Sequence, residues 1–233
     1  DGARRGFGIG GGLHHAQREK ASGFCVYNDP AIALHILRER FNRVAYIDID
    51  VHHGDGVENI FASDPKVLTT SIHEDGKTLF PGTGAFEDQG SGEALGTALN
   101  LPLPRGTTGD VWLELFQRVV PAALEAFGAE AIVLQMGTDP HPEDRLGHLE
   151  VGYSDWLAAV RTVNELRLPT VAVGGGGYNL STVPRMWAAA CLTLGDIEFA
   201  DKLPEDLAAV WGLATFSDPS PIRRSENKAD AEQ

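Results

Sequence analysis

Two apolar periodicities alternate along this chain. After Asn28, Asp29 and Pro30, the stretch AIALHILRER carries apolar residues at helical spacing; Asn28 or Asp29 can cap that helix and Pro30 suits its first position. A nearly continuous β-branched run, VAYIDID at 44–50, then predicts a strand. Residues 54–62 read as a short helix, VLTTSI at 67–72 as a strand, and 74–96 as a long loop. The alternation resumes with the strand TALNLPL, a helix from about Asp110 to Phe127 and the strand AIVLQM at 131–136. A helix around 155–166, the strand TVAVG at 170–174 and a helix near 182–194 complete the pattern.

Apolar strands separated by helices predict a three-layer αβα architecture with a mainly parallel sheet covered on both faces. Such sheets bind ligands beyond the carboxyl ends of their strands. Those ends carry the least ordinary residues of this sequence: DIDVHH, SIHED, QMGTDPH and GGGGYN. The loop at 74–96 is long for a compact domain, which favours a functional role.

Composition narrows the classes. With 233 residues, 42% of them hydrophobic, the chain is expected to form one domain over residues 1–218. The tail at 219–233, PSPIRRSENKADAEQ, lacks apolar periodicity and is expected to be disordered. A net charge of -14 opposes binding to nucleic-acid phosphates or anionic lipid and favours cationic partners. No apolar stretch reaches the ~20 residues of a membrane span, and the opening DGARRGFGIGGG lacks a signal-peptide core. Cys25 and Cys191 show no CxxC spacing, which argues against a disulfide framework and fits a reducing cytoplasm.

The stretch YIDIDVHHGDG, residues 46–56, concentrates Asp48, Asp50 and Asp55 with His52 and His53. Neighbouring carboxylates at a strand end repel one another and call for a proton or a metal. Residues two apart share a strand face, so Asp48, Asp50 and His52 can converge. Asp50 and His52 form a natural pair of metal ligands, and Asp139 in MGTDPH occupies the equivalent place beyond another strand. Two carboxylates and one imidazole leave an open coordination position, which suits catalytic zinc, with Fe(II) or Co(II) as substitutes. The tandem His14 and His15 in GGGLHHA are candidates for general base and acid, with Asp48 and Asp55 available to orient them.

GGGLHHA, ASGFCVYND, YIDIDVHHGDGV, FPGTG, TDPHPEDRLG and GGGGYN occur in the order and spacing of the histone deacetylase family, which residues 6–195 resemble. The likeness is to its class I-like bacterial members, acetoin-utilisation proteins included. The resemblance implies an arginase/deacetylase-type fold. It implies zinc on Asp50, His52 and Asp139, catalytic roles for His14 and His15 paired with Asp48 and Asp55, and oxyanion binding by Tyr178. It also implies an acetyl-lysine channel walled by Gly23, Phe24 and Phe80, and a structural potassium ion at Asp48, Asp50, His52, Ser71 and Ile72, largely through backbone carbonyls. Gly176 belongs to a glycine run that would let the backbone approach a substrate. The implied reaction is hydrolysis of N-acetyl amides, with acetyl-lysine in proteins first and small acetylated amines such as polyamines second.

Other readings are weaker. GFGIGG at 6–11 satisfies GxGxxG, but no strand is expected before it and histidines follow where a helix should start. No GxSxG supports a serine hydrolase, and Cys25 reads as a small buried hydrophobe. His73, Glu74, His141 and His148 could supply a second metal, yet the aspartate-rich motif of binuclear arginases is absent, so one metal is expected. The family's domains extend upstream of GGGLHHA, so the chain is expected to lack N-terminal strands and a rim acid. An inactive fragment is the corresponding reading of another class.

Overall fold

The computed structural model describes residues 4–219. Six strands form one sheet in the order β1-β6-β5-β2-β3-β4, and every pairing is parallel. The strands are β1 (Arg5–Gly8), β2 (Val44–Asp48), β3 (Val67–Glu74), β4 (Ala98–Leu103), β5 (Ala131–Gln135) and β6 (Thr170–Val173). The helices are α1 (Asp29–Leu37), α2 (Asp55–Phe61), α3 (Gly109–Phe127), α4 (Tyr153–Glu165), α5 (Thr182–Leu194) and α6 (Glu205–Trp211).

Strand β2 shows why the sheet needs two covers. Ala45 and Ile47 point into one core with residues of α3, α4 and α5, whereas Val44 and Tyr46 point into the other with residues of α1 and α2. The alternation repeats in β5, where Ile132 and Leu134 face the first core and Ala131 and Val133 the second. Chain order reverses beside β2: β3 and β4 extend the sheet to one side, β5 and β6 to the other. A crevice at such a switch is where doubly covered sheets take ligands.

Helix α1 begins as its sequence suggests, with the Asn28 side chain accepting from Ala31 N at 2.9 Å. Asp29 lies inside the first turn, and its carboxylate accepts instead from Gly12 N and Leu13 N. The glycine-rich opening, to which the periodicity assigned no element, contributes a strand. Arg5–Gly8 is an edge strand in register with Thr170–Val173, because β6 offers an open row of donors and acceptors. Strand β3 also runs two residues beyond its expected end, so His73 and Glu74 are strand residues rather than loop residues. Helix α6 had no counterpart in the periodicity reading. Residues 220–233 of the expected tail lie outside the described residues. Among the described residues no helix is long and apolar enough to cross a membrane.

The larger core centres on fully buried Trp112 and Phe116 of α3, whose rings stack with centroids 5.7 Å apart. Phe116→Ala should therefore destabilise the fold by about 3–5 kcal/mol in chemical denaturation. A loss below about 1 kcal/mol would show that this stack contributes little.

Candidate active site

The ends of β2 and β5 meet at the switch, with Asp48 and Gln135 in register. Asp50 and His52 follow β2 directly, and Asp139 follows β5. His52 Nδ1 lies 3.0 Å from Asp50 Oδ1 and 3.1 Å from Asp139 Oδ2. Among the described residues these three form a group whose ligand atoms all lie within 4.8 Å of one another, and all three are buried. Burial raises the Asp139 carboxyl, and the adjacent Asp50 carboxylate pushes it further, up to about 7. Burial opposes a charged His52, but its bonds to Asp139 and Asp50 outweigh that and hold it well above its ordinary value. Two carboxylates thus share one imidazole in a dry site, a donor set that fits a divalent cation.

Surrounding groups aim these ligands. Asp50 Oδ2 accepts from Gln135 Nε2 at 2.8 Å and from Gly176 N at 2.7 Å. Asp139 Oδ1 accepts from Val51 N at 2.9 Å, so each strand end fixes a ligand of the other. The indoles of Trp156 and Trp187 donate to the carbonyls of Gly137 and Met136, shaping the turn that delivers Asp139. A Cβ at Gly176 would come within 2.0 Å of Asp139 Oδ2.

The loop after β1 brings in the tandem histidines. His14 Nδ1–H donates to Asp48 Oδ2 at 2.7 Å and His15 Nδ1–H to Asp55 Oδ1 at 2.6 Å. Their Nε2 atoms face each other at 3.1 Å, a gap that holds a single proton. The environments separate the two rings. Burial disfavours charge on His14, but the carboxylates of Asp48 and Asp50 overcome it and push His14 up to about 9. His15 is lowered, by burial first and then by the neighbouring His14.

A narrow pocket of about 90 Å³ reaches these groups, lined in part by His14, His15, Gly23, Phe24, Asp50, His52, Phe80, Gly176 and Tyr178. Phe80 presents its edge to His15 at 5.0 Å, and Phe24, 83% exposed, stands 6.3 Å from Tyr178 across the mouth. Gly23 has φ +50, and a Cβ there would meet His15 Cδ2 at 2.3 Å, so glycine alone lets the wall pass so close to the ring. Ser71 pairs in register with Asp48, and Ile72 follows it in β3.

Residues 1–194 match the histone deacetylase domain profile. The chain belongs to the histone deacetylase family. It is 40% identical over 228 residues to the acetoin utilization protein AcuC of Bacillus subtilis, covering 92% of this chain and 59% of that protein. It is also 40% identical over 194 residues to histone deacetylase 1 of Homo sapiens, covering 83% of this chain and 40% of that one. Among solved structures, an HDAC homolog complexed with SAHA superposes with a TM-score of 0.86 at 32% identity, covering 93% of this chain and 64% of that one. Acetylpolyamine aminohydrolase from Burkholderia pseudomallei gives 0.79 at 34% identity, covering 84% and 57%. The chain spans about half the length of the curated relatives it matches. The mainly parallel sheet expected from the sequence is the arrangement this deacetylase-family chain shows.

Several supporting groups escaped the motif reading. Tyr46 OH donates to Asp48 Oδ2 at 2.7 Å, and Gln17 Nε2 donates to Asp55 Oδ2 at 2.8 Å. Gln135 escaped it too, although a polar residue at the end of an apolar strand is a signal for such a role. Cys25 is buried as expected but also lines the pocket. The histidines weighed for a second metal have separate partners. His148 Nδ1 pairs with Glu74 at 2.9 Å, His141 Nε2 with Asp218 at 3.0 Å, and His73 Nε2–H donates to Gly84 O at 3.0 Å.

Gly176→Ala would force the Asp50 and Asp139 carboxylates apart, and affinity for an added divalent cation, with zinc as the probe, should fall about 10- to 100-fold by titration calorimetry. Gly10→Ala, whose Cβ would meet nothing within 4 Å, is the control and should bind as wild type. Equal affinity of the two variants would refute the crowding argument.

Proposed function

We propose that this chain hydrolyses N-acetyl amides, with acetyl-lysine side chains of proteins as the preferred substrates. The observation that carries this reading is one constellation: Asp50, His52 and Asp139 lie beside a carboxylate-backed His14–His15 pair at the base of a narrow, aromatic-walled pocket. Asp50, His52 and Asp139 would hold zinc, or Fe(II) or Co(II) in its place; when bound, the ion polarises the acetamide carbonyl and lowers the pKa of its water toward ~7.

The chain's own groups supply the rest. His15, kept neutral by burial and by its neighbour, is the base that receives the attacking water's proton. His14, held charged by Asp48 and Asp50, supports the anionic transition state, and the proton that His15 has taken from water passes to the leaving amine as the C–N bond breaks. Gly23, Phe24 and Phe80 exclude water around the lysine methylenes, and Gly176 brings main chain close to the acetyl group. The Tyr178 hydroxyl donates to the developing oxyanion; burial and the nearby Asp139 and Asp50 raise its pKa, so it stays a donor at neutral pH. A potassium ion on Asp48, Asp50, His52, Ser71 and Ile72 would brace the same strand ends; the β2–β3 register supports this. The free cysteines suit the cytoplasm, the proposed compartment. Residues 1–218 are the proposed catalytic unit, with 219–233 as an appended tail.

A second reading, deacetylation of small acetylated amines, is favoured by the likeness to an acetylpolyamine aminohydrolase and by the net charge of -14. Turnover of an acetyl-lysine peptide should exceed that of acetylspermidine and stop on chelation, with recovery on adding zinc. Faster acetylspermidine turnover would reverse the substrate order, and bound zinc with no turnover of either would favour an inactive fragment. Tyr178→Phe should retain zinc and lose about 100-fold in kcat; unchanged kcat would remove Tyr178 from the reaction.

A further inference from the structure

Tyr178 closes a run of four glycines, Gly174 to Gly177, so its own backbone offers little resistance to motion. Gly176 is tied down by Asp50, and its carbonyl accepts from Thr138 N at 2.7 Å. The next fixed point is Tyr178 itself, whose N–H donates to Asp144 Oδ2 at 2.6 Å. Asp144 Oδ1 accepts from Leu146 N at 2.9 Å, and Asp144 N donates to His141 O at 2.9 Å. One residue on, Asn179 Nδ2 donates to Glu143 O at 3.2 Å. The turn that begins at Asp139 therefore grips the Tyr178 segment twice.

Asp144 is fully buried, and the bonds to its carboxylate come from main-chain N–H groups. Placing a carboxylate there, near Asp50, costs free energy that a neutral side chain would avoid. A charged acceptor makes a shorter, stronger bond to an amide than a neutral one does. The geometry points to Asp144 as a positioning residue: its carboxylate locks the Tyr178 main chain to the Asp139 turn, so that the phenol and the metal ligand keep one separation. This rests on the oxyanion role proposed for Tyr178.

The test uses the full chain loaded with zinc, as wild type, Asp144→Ala, Asp144→Asn, Tyr178→Phe and the Ala/Phe double variant. Asp144→Ala should lower kcat about tenfold or more, with KM within about twofold and zinc content unchanged. Asp144→Asn, which keeps one acceptor oxygen, should recover most of that loss. On the Tyr178→Phe background the Ala change should cost less than about twofold, because the group it positions is gone. Independently of turnover, the Tyr178 amide should exchange with deuterium about tenfold faster in Asp144→Ala. Equal kcat losses in both backgrounds, unchanged amide exchange, or loss of zinc with Asp144 would each overturn the assignment. If Asp144→Ala does not fold, Asp144→Asn carries the same comparison, with a partial loss expected only where Tyr178 is present. A wild-type chain without deacetylation would sink the reading of the site, while amide exchange would still decide whether Asp144 holds Tyr178.

Discussion

Five buried carboxylates within one crevice set the terms for this site: Asp48, Asp50, Asp55, Asp139 and Asp144. Each must be compensated, since isolated charge in a dry interior is costly. Among the described residues their compensation comes from imidazoles, a phenol, side-chain amides and main-chain N–H groups, with no lysine or arginine bonded to them. Between Asp50 and Asp139 that compensation is the shared imidazole of His52. A cation there would add to it, and the dipoles around the two carboxylates are aimed in advance.

The scaffold achieves this by dividing labour across the sheet switch. β2 and β5 supply the ligands, β6 supplies the glycine run, and the loop after β1 supplies the histidine pair. Helices contribute mostly at their starts and through indole donors: Asp29 pins the histidine loop, and Trp156 and Trp187 pin the Asp139 turn. Glycine is needed at Gly23 and Gly176 because the side chains of His15 and of Asp139 and Asp50 occupy the space a methyl would fill.

Much of this was legible in the residues. The strand and helix periods depend on burial of alternate faces, and five of the six strands were visible for that reason. β1 was not, because RGFG has no apolar alternation and becomes a strand only by pairing with β6. The convergence of Asp50, His52 and Asp139 could be read because Asp50 and His52 sit at strand spacing and Asp139 at the matching strand end. The supporting groups were harder to see. Tyr46 looks like core, Gln17 like surface, and Asp144 like one of many loop acids. Their parts depend on contacts between segments far apart in sequence.

That distance has a further meaning for how the molecule matures. His52 and Asp139 are separated by 87 positions, and they meet only once β5 has docked against β2. A nascent or partly unfolded chain holds just Asp50 and His52, two of the three groups, without the second carboxylate. On the proposed reading, tight capture of a metal would be a late event coupled to sheet closure, and the captured ion would stabilise the native state against reopening.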